Sequence, residues 1–160
     1  MWNIILFDFG GGLSMIIRLI EKKDFGEWLK LRYDLWPYHT LSELEDEMKE
    51  IFEEIDIKPV FFAEDKGIIY GFIELSIRDS APGCLTNIIG FIEGWYVKPE
   101  FRKLGKGKML VEMGEQWAIS KGCKEMASDT TERYPDSPVA HVALGYEEVS
   151  LPLHYKKDLL

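Results

Sequence analysis

The segment Gly90-Phe91-Ile92-Glu93-Gly94-Trp95-Tyr96-Val97-Lys98-Pro99-Glu100-Phe101-Arg102-Lys103-Leu104-Gly105-Lys106-Gly107-Lys108 constrains this chain more than any other. It predicts an apolar strand that runs into a glycine-punctuated turn, and the turn opens a helix near Lys106. The first amides of a helix have no carbonyl partner within it and lie at the positive end of its dipole. Gly105 and Gly107 remove side chains where a ligand approaches the backbone, so the turn suits a diphosphate. Arg102, Lys103, Lys106 and Lys108 gather positive charge there in a chain that is otherwise acidic.

At 160 residues and 46% hydrophobic, the chain is long enough for one domain with a core. Cys84 and Cys123 are too few for a disulfide framework and lack zinc-like spacing, which points to a reducing cytoplasm. Acidic residues outnumber basic ones 28 to 19, a formal charge of −9. That balance argues against nucleic acid or an anionic membrane as partner and would attract a cationic substrate. Met1 to Ser14 is apolar but has no basic start, long hydrophobic run or cleavage site, so it reads as neither signal peptide nor membrane span. Gly10-Gly11-Gly12 reads as a flexible joint and Met15 as a second, more natural start. Residues 1–14 are thus expected to be an N-terminal extension, native or added, and residues 15–160 a single domain.

Met15–Ile20 predicts a strand. Asp24 is placed to cap a helix whose apolar positions are Phe25, Trp28, Leu31 and Leu35, ended by Trp36-Pro37. Ser42 and Glu45 have capping-box spacing before a second helix lined by Leu44, Met48, Ile51, Phe52 and Ile55, with the acidic run Glu43 to Glu54 as its solvated face. Val60–Glu64 and Ile68–Ile77 are strands joined by the tight turn Asp65-Lys66-Gly67. A loop from Asp79 to Asn87 precedes the strand Ile88–Val97. The helix after the glycine turn buries Leu110, Met113, Trp117 and Ala118 and stops at Gly122. Lys124–Ser128 is a short strand, Ser137–Leu144 a short helix, and a terminal strand pair closes the chain. The expectation is an α/β (α+β) fold, a mixed but mostly antiparallel sheet flanked by helices, with one strand–helix–strand crossover carrying the phosphate turn.

An Arg-x-x-Gly-x-Gly turn directly after Tyr-Val resembles the acetyl-coenzyme A loop of the GCN5-related N-acetyltransferase (GNAT) superfamily. Further segments resemble the aminoglycoside 6′-N-acetyltransferases in register along nearly all of Met15 to Asp158. They are Leu35-Trp36-Pro37-Tyr38-His39, Ser76-Ile77-Arg78-Asp79, Glu93-Gly94-Trp95-Tyr96-Val97, Ala127-Ser128-Asp129-Thr130, and Ala140 to Glu148, with Ser137 and His141 at the family's spacing. The resemblance implies substrate contacts at Trp36, Glu93 and Asp129. It implies coenzyme contacts at Trp95, Tyr96 and Val97 and along Lys103, Leu104, Gly105, Lys106, Gly107 and Lys108. It also implies a homodimer built partly through Leu151 to Leu160. Three substitutions depart from the family pattern: Ser80 stands where a drug-contacting tyrosine is frequent, Tyr134 where an asparagine touches the coenzyme, and Ser150 where an acidic residue is common.

Acyl transfer from a thioester to an amine requires an uncharged amine, because a protonated one has no lone pair. Glu93, flanked by apolar residues on the central strand, is the candidate base. Beside an apolar wall its affinity for a proton would rise; the competing reading is a strand carboxylate facing solvent. The amide of Val97 is the candidate donor to the developing oxyanion. Tyr134 or Tyr155 could return a proton to the leaving thiolate. Asp129 either completes an anionic wall for a polycationic aminosugar or caps a helix. Trp36 either stacks on a sugar ring or plugs the core. His39, His141 and His154 have no metal-ligand spacing and read as structural, and no metal is expected. The expected function is acetyl transfer from acetyl-CoA to the 6′-amine of an aminoglycoside by direct attack in a ternary complex, conferring resistance. The competing expectations are a GNAT enzyme for a polyamine or peptide amine, and a non-catalytic acyl-CoA-binding module.

Overall fold

The computed structural model of the chain describes residues 4–8 and 14–160, with side chains from Met15 onward. The expected Gly10-Gly11-Gly12 joint lies outside the described residues. The chain divides into two compact units, one of residues up to Glu74 together with Gly94–Val111, the other of Leu75–Glu93 together with Glu112–Leu160. No helix among the described residues is long and apolar enough to cross a membrane.

In the first unit, β1 (Ile4–Asp8), β2 (Ser14–Leu19), β3 (Val60–Asp65) and the start of β4 (Ile68–Arg78) follow one another in space, each pair antiparallel. β1 was not foreseen in the segment before Met15. The β3–β4 turn places Lys66 and Gly67 at φ 50° and 79°, the left-handed pair that a two-residue hairpin demands. Two helices, α1 (Phe25–Leu35) and α2 (Leu41–Glu53), bury their apolar stripes in a core of Ile20, Trp28, Leu31, Met48, Val60, Phe62 and Phe72. Both expected caps are corrected. The Asp24 carboxylate makes no cap bond to α1, because Arg18 takes it with two bonds of 2.7 and 2.9 Å. The capping box of α2 is Thr40 with Glu43, not Ser42 with Glu45: Thr40 has the extended backbone an N-cap needs, whereas Ser42 already lies inside the helix. Behind α1, the buried Glu74 accepts from Trp28 Nε1 and Arg32 Nε, both at 2.8 Å. Arg32 also donates to the Leu44 carbonyl and to Glu47, tying α1 to α2.

The second unit holds the end of β4, the start of β5 (Ile89–Val97), β6 (Glu125–Asp129), β8 (His154–Asp158) and β7 (Glu147–Glu148), in that spatial order. β5 and β6 are parallel, from Ile89 opposite Glu125 to Ile92 opposite Ser128, and α3 (Lys106–Ser120) connects them as the expected crossover. A parallel neighbour needs such a crossover connection. β8 runs antiparallel to both its neighbours, paired along its length with β6 and at Tyr155 and Lys156 with β7. α4 (Ser137–Ala143) precedes β7. The seven strands and four helices expected from residue 15 onward are all present, with β1 added.

Gly71 on β4 has no room for a side chain. A Cβ there would lie 2.6 Å from the Tyr96 carbonyl oxygen and 3.2 Å from Leu110 and Val97 side-chain carbons. Backbone cannot yield as a side chain does, so Gly71→Ala should cost about 1–3 kcal/mol and lower Tm by roughly 3–10 °C. Thermal unfolding followed by circular dichroism checks this; an unchanged Tm contradicts the packing described.

Candidate active site

In the first unit β5 ends at Val97, a short 3₁₀ turn covers Pro99–Phe101, and the loop 102–105 leads into α3 at Lys106. Lys103 and Gly105 have φ of 63° and 76°, so the backbone turns twice through the left-handed region within three residues. A Cβ added to Gly105 would meet nothing within 4 Å; what this position requires is the dihedral. The amides of Lys106, Gly107 and Lys108 occupy the first turn of α3, where no carbonyl of the helix reaches them. This is a fitting cradle for a diphosphate.

The second glycine does something other than the sequence suggested. A Cβ on Gly107 would lie 3.0 Å from the Trp95 ring, so its space is filled by Trp95 instead of being left open for a ligand. The basic cluster also divides. Arg102 donates to the Val97 carbonyl at 2.7 Å and lies over Tyr96, while Lys106 sits over the Tyr70 and Phe101 rings at 4.2 and 4.7 Å. These two cations fasten the turn. Lys103, Leu104 and Lys108 are exposed on it. Trp36 is half-buried: its Cη2 lies 2.6 Å from where a Gly94 Cβ would stand, and Arg32 packs over its ring at 4.9 Å. It therefore plugs the space beside β5 with one side and keeps the other accessible.

In the second unit, Glu93 is not against an apolar wall. Its carboxylate accepts from Ser76 Oγ at 2.5 Å and from Arg78 Nε and Nη2 at 3.0 and 2.7 Å, and its side chain is 35% exposed. The apolar neighbours in sequence, Ile92 and Gly94, alternate away from it, as strand residues must. The Arg78 Cζ lies over the Phe91 ring, 3.4 Å from its centroid. Asp129 is the last residue of β6 and faces His154 at 3.9 Å. The nearest helix in sequence after it starts at Ser137, so Asp129 caps no helix. The β5–β6 register, carried one residue beyond Ile92 and Ser128, sets Asp129 beside Glu93 on the face shared by Phe91 and Ala127. The register thus puts the two carboxylates at neighbouring positions on adjacent strands.

Ser80 lines a groove of about 610 Å³ with Ile77, Arg78, Asp79 and Asn87. Ser150 is exposed in the connection between β7 and β8, and Tyr134 is half-buried in the turn before α4, its amide on the Thr131 carbonyl. Tyr155 is not a candidate acid. It is buried, stacked on His141 and donates its hydroxyl to Glu148 at 3.0 Å; burial, and then the Glu148 carboxylate, push its phenol upward. His141 is structural, as expected: Nε2 faces Ser128 Oγ and Nδ1 faces the Ser137 carbonyl, both at 2.8 Å, and burial lowers its affinity for a proton. Among the described residues no group of His, Cys, Asp or Glu could hold a metal ion.

Residues 28–145 match the model of the acetyltransferase (GNAT) family. The chain belongs to the GNAT family. An aminoglycoside N(6′)-acetyltransferase type 1 from Klebsiella aerogenes is 39% identical over 150 residues, spanning 91% of this chain and 98% of that one. Among solved structures, aminoglycoside N-acetyltransferase AAC(6′)-Iy in complex with CoA is similar at a TM-score of 0.82, with 36% identity over 94% of this chain and 99% of that one. The same enzyme in complex with the bisubstrate analog CoA-S-monomethyl-acetylneamine gives 0.80, with 37% identity over 89% and 97%. The fold is that of GNAT enzymes.

Two features of this GNAT chain escaped residue-by-residue reasoning. Ser76 and Arg78 alternate on β4 with the spacing that puts both on the Glu93 side, a period-two signal present in the sequence. Glu125, the first residue of β6, accepts from the amides of Leu85 and Thr86 and from Thr86 Oγ1, at 2.6–3.0 Å, and so ties down the far end of the loop that carries Ser80. Burial alone would push the Glu125 carboxyl up, but the Thr86 and Leu85 donors outweigh it and hold it below its ordinary value. A depressed carboxyl gives its full stabilisation above the ordinary value of about 4.5 and loses it as pH falls through the lower folded value. The Leu85 and Thr86 amides should therefore stay protected from hydrogen exchange, relative to intrinsic rates, at neutral pH and open only as pH falls below that ordinary carboxyl value. Protection independent of pH down to acid unfolding, or absent at pH 7, contradicts this anchor.

Proposed function

We propose that this chain transfers the acetyl group of acetyl-CoA to the 6′-amine of aminoglycosides by direct attack in a ternary complex, within one acetyltransferase domain of residues 15–160. The observation that carries the reading is the Glu93–Asp129 pair on adjacent strands, with Glu93 on the strand that runs on to the amide-rich turn. Two neighbouring carboxylates suit an acceptor with several positive charges. The relatives' names make an aminoglycoside the acceptor to test first.

Acetyl-CoA supplies an activated acyl carbon. The first-turn amides of α3 with Lys103, Leu104 and Gly105 hold its diphosphate, and the backbone of Trp95, Tyr96 and Val97 runs beside the acyl arm. Glu93 binds the acceptor ammonium and takes one proton from it, directly or through one water, before the freed lone pair forms its bond to the acyl carbon; the nitrogen sheds its second proton as the tetrahedral adduct collapses. The Val97 amide stabilises the oxygen on which charge develops, and the carbon–sulfur bond then breaks. Tyr134 is the remaining candidate to give the thiolate a proton; a thiolate with an ordinary affinity near pKa ~8.5 also leaves without one. Trp36, Ser80, Asp129 and Ser150 contact the acceptor. Acetylation removes a positive charge and a hydrogen-bond donor from a drug that reads RNA, which accounts for resistance. The enzyme works in the cytoplasm as a homodimer. Leu151–Leu160 contributes to the dimer.

An acceptor panel tests the reading. Kanamycin or tobramycin should be turned over in preference to spermidine and an amine-terminated peptide, measured as coenzyme thiol release. Preference for spermidine or the peptide would make this a GNAT enzyme of different acceptor. Glu93→Gln should lower kcat by about 100-fold or more and leave acetyl-CoA affinity within about twofold. Coenzyme binding with no turnover of any amine would mark a non-catalytic module.

A further inference from the structure

A row of charged side chains crosses four strands on one face of the second unit: Arg78 on β4, Glu93 on β5, Asp129 on β6 and His154 on β8. Within it the Glu93 carboxylate is filled unequally. Oε1 accepts two hydrogen bonds, from Ser76 and Arg78 Nε, whereas Oε2 accepts one, from Arg78 Nη2. A carboxylate oxygen has two acceptor positions, so Oε2 keeps one for an incoming amine. The guanidinium itself is fixed on both sides, by the fork to Glu93 and by the Phe91 face. An amine that takes the last position on Oε2 therefore sits close to a permanent positive charge.

That closeness has a chemical consequence. The carboxylates Glu93 and Asp129, with Asp79 in the adjoining groove, draw in a cationic acceptor and favour its ammonium form. Attack requires the opposite form. The charged groups on this face around the amine position are Arg78 from β4, Asp79 from the following loop, Glu93 from β5, Asp129 from β6, and His154 and Lys156 from β8; Lys156 is paired with Glu147 and Asp158, and among the described residues Arg78 is the cation bonded to Glu93 itself. We propose that Arg78 is a positioning residue that holds the Glu93 carboxylate in one orientation and biases the acceptor nitrogen beside it toward its uncharged, attacking form. The inference rests on the reading of Glu93 as the acceptor carboxylate and concerns any amine that binds there.

Two variants separate the roles. Arg78→Gln removes the charge, and Arg78→Lys keeps the charge but loses the planar fork. kcat and KM for tobramycin are measured between about pH 6 and 9.5, the range in which an acceptor amine loses its proton in the bound complex. In Arg78→Gln the acid limb of kcat should move up by about one pH unit, so kcat at neutral pH falls on the order of tenfold while KM stays level or drops. In Arg78→Lys the limb should stay in place with a lower plateau. Identical limbs in all three proteins, or kcat and KM worsening together at every pH, overturn the proposal, since a merely structural role moves both alike. If the unaltered chain turns over spermidine and not tobramycin, the aminoglycoside reading fails alone, and the same profiles with spermidine decide the role of Arg78. No turnover of either acceptor overturns both.

Discussion

A carboxylate proposed to accept a proton from substrate must stand at the surface, yet an exposed glutamate on a strand is free to swing. The clamp of Ser76, Arg78 and Phe91 resolves that conflict for Glu93. Charge-assisted bonds on both oxygens hold the orientation, and one acceptor position is left for chemistry. Neighbouring contacts extend the same logic. The parallel register of β5 and β6 brings Asp129 to Glu93, and His141 braces the end of β6 from beneath through Ser128.

The first unit meets a different requirement, which is to keep a strained, glycine-bearing turn in place. Left-handed backbone at Lys103 and Gly105 aims the amides, and a non-glycine residue there stores strain that the surroundings must offset. Arg102 on the Val97 carbonyl and Lys106 over two aromatic rings supply the restraint, while Trp95 fills the space Gly107 leaves. Under the helices, the buried Glu74 bonded to Trp28 and Arg32 fixes α1, whose last turn delivers Trp36 to Gly94. Losing one partner of such a buried pair costs several kcal/mol, about 3–5, so this unit tolerates little change there.

Most of the fold was legible because its signals are local: the Lys66-Gly67 hairpin, the stripes of α1, α2 and α3, and the glycine stop at Gly122 all depend on residues a few positions apart. Some of the misreadings arose where a partner from another element competed for a group. Arg18 takes the Asp24 carboxylate that spacing assigned to a helix cap, and Glu148 takes the hydroxyl of Tyr155. The environment of Glu93 was misread for the same reason. Its neighbours in sequence are apolar, but its neighbours in space come from β4, across the loop 79–87. Gly107 shows the converse: the glycine stands out in the sequence, and only the position of the Trp95 ring shows what it makes room for. Site residues carried by strand alternation, such as Ser76 and Arg78, were readable in principle but say nothing of their partner until the register is known.

The proposed catalysis requires a coenzyme and an acceptor amine to be held at once while Glu93 mediates the proton. Initial velocities measured over a grid of acetyl-CoA and tobramycin concentrations test this most directly. Double-reciprocal lines that intersect are the predicted result, as a ternary complex requires. Parallel lines, with acetyl recovered on the protein after incubation with acetyl-CoA alone, would contradict it, because an acyl-enzyme would then carry the group that the proposed direct attack moves in one step.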